Sequence, residues 1–285
     1  MHKRILTLLT LLLVSCISAA AQQSPPQPSA LTFWYEYTVR PGQEEEFMNL
    51  VRTVGQPVRD KMMADGVVLA WGIEVPLLRG PGAPTHIIWF TVADWAGVEK
   101  VLTAMQAQLA KLAAEEAKAA AEIKKGPKPP MTTAERSREV FDASKTRDWL
   151  TRDLVFGVTS ATIPAGALPY TRYGWVKVKP GKGADYRRAW EKYNKPVYDK
   201  LIADGVIWAY GLSVEELKTE GDFTHFTWVS GKDLAAYDKV IAAFVADRGR
   251  RSQEERDAIS ALFTSLTEPD AARSAVTRAI VFRVK

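Results

Sequence analysis

The segment PVRDKMMADGVVLAWG at residues 57–72 returns as PVYDKLIADGVIWAYG at residues 196–211, displaced by 139 residues. Two other pairs share that displacement: VRPG at 39–42 with VKPG at 178–181, and THIIW at 85–89 with THFTW at 224–228. One register held without gaps over this length indicates a tandem duplication. The closing segments TRDLVFGV (151–158) and TRAIVFRV (277–284) are displaced by 126 residues, so the first copy carries 13 extra residues before its last segment.

Each copy predicts the element order β-α-β-β-α-β. In the first copy, the alternating segment at 33–39 indicates a half-buried strand, and a helix follows from about Gln43 to Ala64. This order is the ferredoxin-like split βαβ motif, which leaves one face of its antiparallel sheet without helices. We therefore predict an α+β fold in which two tandem ferredoxin-like repeats pack sheet to sheet as an intrachain α/β barrel.

Three local features make each copy similar to the dimeric α/β-barrel superfamily: the V-x-P-G turn, the following helix with Phe47 or Tyr186, and the glycine-ended approach to the second strand. That superfamily includes the NIPSNAP, EthD and antibiotic-biosynthesis monooxygenase families. Its barrel usually forms between two chains, and the duplication implies one barrel within this chain. Activities in these families range from oxygenation and haem chemistry to no known catalysis, so the resemblance does not choose a function.

The first 21 residues have the pattern of a signal peptide. A basic start precedes the apolar run at 5–14, which is too short to span a bilayer. Ala19–Ala21 offers an A-x-A cleavage site, which we favour. Alternatively, LVSC at 13–16 resembles a lipobox, and a lipid on Cys16 would anchor the protein to a membrane. Both alternatives predict an exported protein, periplasmic or secreted, and the lone Cys16 excludes an intrachain disulfide.

Changes in composition divide the rest of the chain. A Pro/Ser/Gln-rich tether spans 22–31, the first repeat 32–160, a linker 161–169 and the second repeat 170–285.

Within the first repeat, residues 106–125 are rich in Ala, Glu and Lys. They should extend the second helix beyond the sheet, where the helix could contact a protein partner. Capping-box spacings at Thr132–Glu135 and Ser252–Glu255 predict one further helix in each repeat.

Charge and motif content exclude several classes of protein. The formal net charge of +5 is spread among interspersed acidic residues, so no concentrated basic face for nucleic acid is predicted. The sequence has no HExxH, CxxC, GxSxG, P-loop or Rossmann glycine pattern. With two histidines beyond the leader, a structural zinc site or a di-metal centre is disfavoured, and we predict no metal.

The two histidines, His86 and His225, each lie three residues before a tryptophan. Because side chains alternate along a strand, histidine and tryptophan must point to opposite faces. Ile87 and Trp89 form a large apolar face that suits packing against helices. We therefore expect both histidines to face the barrel interior.

The same alternation outlines a pocket inside the barrel that suits a flat, partly apolar molecule. For the second strands, alternation does not decide which face lines the barrel: the face with large residues or the face with Gly72 and Gly211. The catalytic candidates are His86 and His225. The ligand-binding candidates are Trp34, Glu36, Trp71, His86, Tyr173, Trp175, Lys177, Tyr210 and His225.

Each candidate also has a structural explanation. A duplicated histidine can serve a hydrogen bond at the start of a strand, and aromatic stripes are more often core than pocket. Glu36 and Lys177 either pair across the barrel or reach solvent at the strand ends. Asp65 and Asp204, each before a glycine, have the position of helix-stop residues.

Two functional hypotheses follow. The first, which we favour, is a non-catalytic exported protein that binds a small hydrophobic or aromatic ligand, or a protein partner, without a cofactor. The second is a cofactor-independent monooxygenase or a haem-handling enzyme, in which His86 or His225 acts as base or ligand.

Overall fold

The computed structural model describes residues 29–80, 82–122, 130–217 and 223–285. The predicted signal peptide, Cys16 and most of the tether therefore lie outside the described residues. Among the helices of the described ranges, none combines the length and the apolar character needed to cross a membrane.

Each repeat contributes four strands and a set of helices. Repeat 1 contains β1 (Leu31–Tyr37), α1 (Glu44–Leu50), a π-helix (Val51–Gly55), α2 (Gln56–Ala64), β2 (Val68–Pro76), β3 (His86–Val92), α3 (Trp95–Glu122), α4 (Thr133–Val140), a short 3-10 helix (Ala143–Lys145) and β4 (Arg147–Val158). Repeat 2 contains β5 (Tyr170–Val178), α5 (Gly183–Tyr193), α6 (Lys195–Ala203), β6 (Ala209–Glu215), β7 (His225–Gly231), α7 (Ala235–Gly249), α8 (Gln253–Leu266) and β8 (Thr267–Val284).

The eight strands close into one antiparallel barrel in the order β1-β3-β2-β8-β5-β7-β6-β4. Within each repeat the order is ferredoxin-like, β4-β1-β3-β2 in the first and β8-β5-β7-β6 in the second. The repeats meet at two seams, β2 with β8 and β4 with β6. This topology confirms the predicted intrachain barrel of two duplicated sheets.

Three apolar clusters hold the fold together. Two of them lie between the barrel wall and the helices, one in each repeat, and contain the largest buried side chains of the second strands, Trp71 and Tyr210. The third fills the barrel with side chains from both repeats: Trp34, Ile87, Trp89, Trp149, Tyr173, Trp175, Phe223 and Phe226. The barrel is therefore a packed core to which each repeat supplies one wall.

The helix ends follow the predicted chemistry. Both capping boxes form, with the side chains of Thr132 and Ser252 accepting hydrogen bonds from the N–H groups of Glu135 and Glu255. Asp65 and Asp204 stand at helix C-termini before Gly66 and Gly205, whose φ angles are 79° and 68°. Since such φ angles favour glycine, the structural explanation of both aspartates is confirmed.

The helix predicted from Gln43 to Ala64 is interrupted. α1 runs directly into the π-helix Val51–Gly55, where the wider hydrogen-bond spacing bulges the backbone, and α2 then continues to Ala64. In repeat 2 the corresponding helices α5 and α6 meet at Asn194, which aligns with Gly55, and both are regular α-helices. The two repeats therefore differ at this point.

The segment between the third and fourth strands also differs between the repeats. α3 has 28 residues, whereas its counterpart α7 has 15. By contrast α4 has 8 residues and α8 has 14. The extended α3 agrees with the prediction from the Ala/Glu/Lys-rich segment as far as Glu122, and residues 123–125 lie outside the described ranges.

Candidate functional site

Aromatic side chains from both repeats pack against one another in the barrel interior. Trp34 stacks on Trp149 with ring centroids 5.0 Å apart, and meets the edges of Tyr173 and Phe226 at 5.8 and 5.9 Å. The predicted inward direction of Trp34, Tyr173 and Trp175 is confirmed. These contacts give the three residues a clear packing role, and their role as ligand contacts remains a prediction.

The second strands present their small and polar face to the barrel interior. Trp71 and Tyr210 point outward into the helix-side cores, so they do not share a site with Trp34. Glu74, which faces inward, is 2% exposed and accepts hydrogen bonds from Trp89 Nε1 and the Tyr173 hydroxyl, both at 2.9 Å, and from Thr277 Oγ1. Burial raises the pKa of Glu74, and the three donors oppose that shift.

A second buried carboxyl occupies the other half of the barrel. Ser213, at the position equivalent to Glu74, donates to Asp153 Oδ1 at 2.6 Å and accepts from Trp228 Nε1 at 3.2 Å. Burial raises the pKa of Asp153 to about 6. Neither carboxyl was among the candidates from the sequence, although Glu74 lies on the same face of β2 as Gly72, one of the two faces between which the sequence did not decide.

At one end of the barrel, the charged candidates Glu36 and Lys177 have separate partners. Arg147 lies 3.5 Å from Glu36, and Glu268 lies 2.9 Å from Lys177. The ion pairs that the structure shows for Glu36 and Lys177 are therefore with other residues, and their pairing with each other stays one of two alternatives from the sequence. Burial raises the pKa of Glu36, and the charge of Arg147 opposes the shift.

The placement of the histidines in the barrel was wrong. His86 packs on Phe47 of α1 with ring centroids 4.6 Å apart, and His225 packs on Tyr186 of α5 at 5.5 Å. Trp89 and its counterpart Trp228 take the interior instead.

The tryptophans face the interior because neighbouring glycines leave room there for the indole rings. A Cβ on Gly72 would lie 2.8 Å from the Trp89 ring, and one on Gly211 would lie 2.4 Å from the Trp228 ring. Each inward tryptophan therefore fills space that a neighbouring glycine leaves open.

Each histidine takes part in a duplicated strand-entry motif. The Oγ1 atom of Thr85 lies 3.0 Å from His86 Nδ1 and accepts a hydrogen bond from the Val39 N–H at 2.8 Å. Thr224 repeats both contacts with His225 and the Val178 N–H, at 2.9 Å each. Burial lowers the pKa of both histidines to about 4, so both are neutral at pH 7. This geometry favours the structural explanation for both.

The structure reveals a cleft that the sequence analysis missed. It lies in repeat 1 between the barrel wall and the helices, and its volume is about 210 Å³. We call it the repeat-1 cleft. Its lining is largely apolar: Tyr37, Phe47, Leu50, Val51, Val54, Gly55, Arg59, Ile88, Met105, Leu109, Thr133, Ser137 and Phe141.

The extension of α3 forms one wall of this cleft. Met105 and Leu109 face it, and Gln108 donates to the Thr53 carbonyl of the π-helix at 3.2 Å. Further along α3, Glu116 accepts hydrogen bonds from the Thr133 N–H and hydroxyl at 2.8 and 2.6 Å. The extension thereby holds α4 in place, and its predicted contact with a protein partner remains a prediction.

Repeat 2 fills the equivalent space with aromatic rings. Val54, Arg59 and Ser137 of the cleft align with Tyr193, Tyr198 and Phe263. The structure supports the alignment of Ser137 with Phe263. The N–H of the first residue after α4 donates to the Ser137 carbonyl, and the N–H of the first residue after α8 donates to the Phe263 carbonyl. Tyr193 and Phe263 lie 6.4 Å apart, centroid to centroid. Tyr198 stacks on Tyr210 at 5.1 Å.

The cleft contains one charged lining residue, Arg59, whose side chain is 3% exposed. The guanidinium lies over the Trp71 ring at 5.7 Å and against the backbone of Gly55, where a Cβ would be 2.3 Å from Nη1. Among the described residues, neither Nε nor Nη1 has a hydrogen-bond acceptor. Arginine was absent from our candidates because one isolated basic residue on a helix carries no sequence signal.

The structure also has a groove in repeat 2. A second groove of about 160 Å³ lies between α6 and α7, and the ion pairs Lys200–Asp204 and Asp247–Arg250 flank it. Within the described ranges, no group of three His, Cys, Asp or Glu side chains is arranged to hold a metal ion.

Comparisons with known proteins agree with this architecture. No family model matches the chain, and no curated protein does. Among solved structures, a proposed monooxygenase of Fusobacterium nucleatum subsp. nucleatum superposes with a TM-score of 0.58 at 10% identity, covering 90% of this chain and 95% of that one. A proposed monooxygenase of Lactobacillus acidophilus gives 0.54 at 7% identity, covering 90% and 96%. An anthrone oxidase-like protein gives 0.50 at 13% identity, covering 91% and 94%.

At these identities the similarity establishes the fold alone. The chain is a ferredoxin-like α+β barrel protein, similar in architecture to monooxygenase-like proteins. Within that class it is defined by a duplication in one chain and by a cleft that is present in repeat 1 and filled with side chains in repeat 2.

Proposed function

We propose that the protein binds one small apolar or aromatic molecule in the repeat-1 cleft. The observation that carries this proposal is the difference between the two repeats. Where repeat 2 packs Tyr193, Tyr198 and Phe263, repeat 1 has smaller or polar side chains and an open space lined by apolar groups. A core that needed only stability would be expected to fill this space as repeat 2 does.

The size of the cleft limits the ligand to about one ring. An engineered cavity of about 150 Å³ in another protein holds benzene, so a volume of about 210 Å³ suits a singly substituted ring or a molecule of that size. The apolar lining contributes about 0.8 kcal/mol for each CH₂-sized group transferred from water.

Haem does not fit this site. Pockets for drug-sized ligands occupy about 300–1,000 Å³, and a tetrapyrrole is larger than most drug-sized ligands. His86, the candidate axial ligand, is not among the residues that line the cleft, and Thr85 holds its Nδ1 atom. The haem-handling alternative therefore has no support from this cleft.

The binding proposal is tested with a pair of matched variants. Ser137→Phe places in the cleft the residue that repeat 2 has at this position, and Phe263→Ser makes the reverse change in repeat 2. Binding of benzyl alcohol, p-cresol, benzamide and benzoate is measured by ligand-observed NMR and calorimetry, and folding by circular dichroism. We expect binding in the wild type and in Phe263→Ser, and loss in Ser137→Phe. Binding that survives in a folded Ser137→Phe protein would refute the assignment of the cleft.

A second candidate function is oxygenation of the bound ring by molecular oxygen. The shared fold of two proposed monooxygenases and an anthrone oxidase-like protein favours it. Oxygen uptake with single-ring phenols, lost in Ser137→Phe, would support an oxygenase. Binding without uptake would leave a binding protein.

Export remains part of the proposal. The denatured mass of the protein expressed with its own leader distinguishes cleavage after Ala21 from a lipid on Cys16. The full-length mass would contradict both processing alternatives.

A further inference from the structure

Arg59 forms no ion pair among the described residues, although the negative charge of Asp60 acts on its buried guanidinium. Lining the cleft, this guanidinium is 3% exposed, and its Nε and Nη1 atoms have no acceptor among the described residues. An arginine remains protonated in proteins, although burial lowers the pKa of Arg59. Burying a charge without a partner is costly, so a buried guanidinium normally has a carboxylate or several carbonyls around it.

Three acidic groups in this part of repeat 1 have hydrogen-bond partners. Asp60, next in sequence, accepts hydrogen bonds from Trp71 Nε1 at 3.1 Å and from Gln56 at 3.3 Å. On the α4 side of the cleft, Glu46 pairs with Arg136 at 3.1 Å. Glu116 is bound by Thr133, as described above. Arg59 therefore lines the cleft with no acceptor for Nε or Nη1 among the described residues, while these three carboxylates have partners of their own.

The barrel does not need this arginine. Repeat 2 has Tyr198 at the same position, and Tyr198 packs between Tyr210 and Trp190 with ring centroids 5.1 and 5.7 Å away. The backbone of repeat 1 is instead adapted to the guanidinium. Gly55 leaves room for Nη1, the π-helix ends at Gly55, and repeat 2 has Asn194 there. Glycine and arginine thus occur together in one repeat and are both replaced in the other.

We propose that the ligand of the repeat-1 cleft is a small organic acid, a single-ring aromatic carboxylate, whose anionic oxygens accept hydrogen bonds from the unused N–H groups of Arg59. The inference rests on the proposed function, since it specifies the charge of the molecule that the cleft binds. A carboxylate suits the site because it presents two acceptors to a guanidinium. The apolar lining then contacts the ring, and Arg59 selects the anion over a neutral molecule of the same shape.

The test compares benzoate with benzamide, which has nearly the same shape and no charge. Both are titrated into the full chain by isothermal titration calorimetry at pH 7. A hydrogen bond to a charged group contributes about 1.5–3 kcal/mol, so we expect wild-type protein to bind benzoate roughly 10- to 100-fold more tightly than benzamide. In Arg59→Met, which keeps the unbranched stem of the side chain and removes its charged end, the preference should disappear. Arg59→Lys should retain part of it.

Arg52→Met is the matched control, because Arg52 is an exposed arginine on the π-helix that precedes α2 and bonds only to Asn49 among the described residues. This control should keep the wild-type preference. Equal affinities of the wild type for benzoate and benzamide would overturn the role of Arg59 and leave the proposed binding function intact. If no compound of the panel bound the folded wild-type protein, both proposals would fail. If Arg59→Met did not fold, Arg59→Lys and the wild-type preference would still decide the question.

Discussion

Replacing Arg59 by methionine should make the ligand-free protein more stable. The arginine is 3% exposed, and two of its guanidinium nitrogens lack an acceptor in the described residues. The penalty for burying one ion in a protein is several kcal/mol after relaxation. Methionine matches the aliphatic stem of arginine and has no charge, so this penalty disappears in the variant.

Two losses oppose the gain. The guanidinium lies 5.7 Å from the Trp71 ring, a cation–π contact that contributes about 0.5–2 kcal/mol. The smaller end of methionine leaves a space beside Gly55, which costs about 1 kcal/mol. Together these terms predict a net stabilisation of about 1–3 kcal/mol. Each kcal/mol raises the melting temperature of a chain of this size by about 2–4 °C.

The assay is urea unfolding followed by tryptophan fluorescence, supported by calorimetric melting of protein refolded without ligand. Arg52→Met is the control and should stay within about 0.5 kcal/mol of wild type, as exposed substitutions do. A loss of more than 1 kcal/mol in Arg59→Met, with the control unchanged, would refute the reasoning. It would mean that Arg59 stabilises the fold of the ligand-free protein, which contradicts a side chain retained for ligand binding at a cost in stability.

Three further predictions follow from the same contacts. Gly55→Ala would place a Cβ 2.3 Å from Arg59 Nη1, so the guanidinium must shift. Overpacking costs about 1–3 kcal/mol and alanine gains about 1 kcal/mol over glycine in a helix, so the expected net loss of stability is up to about 2 kcal/mol. Adding Arg59→Met should remove most of that loss in a double-mutant unfolding cycle, and additive losses would contradict the contact. The pKa of Asp153 is raised to about 6, above the value of about 3.9 in an unfolded chain. The folded state therefore binds more protons, and stability falls as pH rises from 4 to 6. Asp153→Asn should flatten this part of the pH profile of the free energy of unfolding by up to about 3 kcal/mol, and an unchanged slope would argue against a buried titrating Asp153. Finally, hemin added to the wild type and to the His86→Ala/His225→Ala variant should give the same absorption spectrum. A shifted Soret band lost with the histidines would restore the haem hypothesis.

The duplication was available from sequence because it depends on spacing alone. Three pairs of segments at one displacement defined two copies, and period-two alternation with glycine-ended helices defined the strands and helices in each. The two capping boxes and the helix-stop roles of Asp65 and Asp204 were likewise predicted correctly, because they depend on hydrogen bonds between near neighbours in the chain.

The direction of the β3 and β7 side chains could not be predicted in the same way. Both faces of these strands are buried, one against helices and one inside the barrel, so alternation separates His86 from Trp89 without saying which side each takes. The decision depended on Gly72 and Gly211 of the neighbouring strands, which leave room for the two indoles inside the barrel. That pairing is set by the register between strands.

A comparison of the two copies in the sequence could have pointed to the cleft. Gly55 against Asn194, Arg59 against Tyr198 and Ser137 against Phe263 are substitutions that change size or charge at aligned positions. Their meaning depends on α1, α4 and the π-helix meeting over one patch of the barrel wall, and lining residues as far apart in the chain as Tyr37 and Phe141 contribute to it. By itself, the sequence determined that there are two copies and how each one folds, because local hydrogen bonds and hydrophobic periodicity act over short stretches. Only the tertiary structure decided which copy is open and that a buried charge lies in it, because volume and desolvation are properties of side chains brought together from distant parts of the chain.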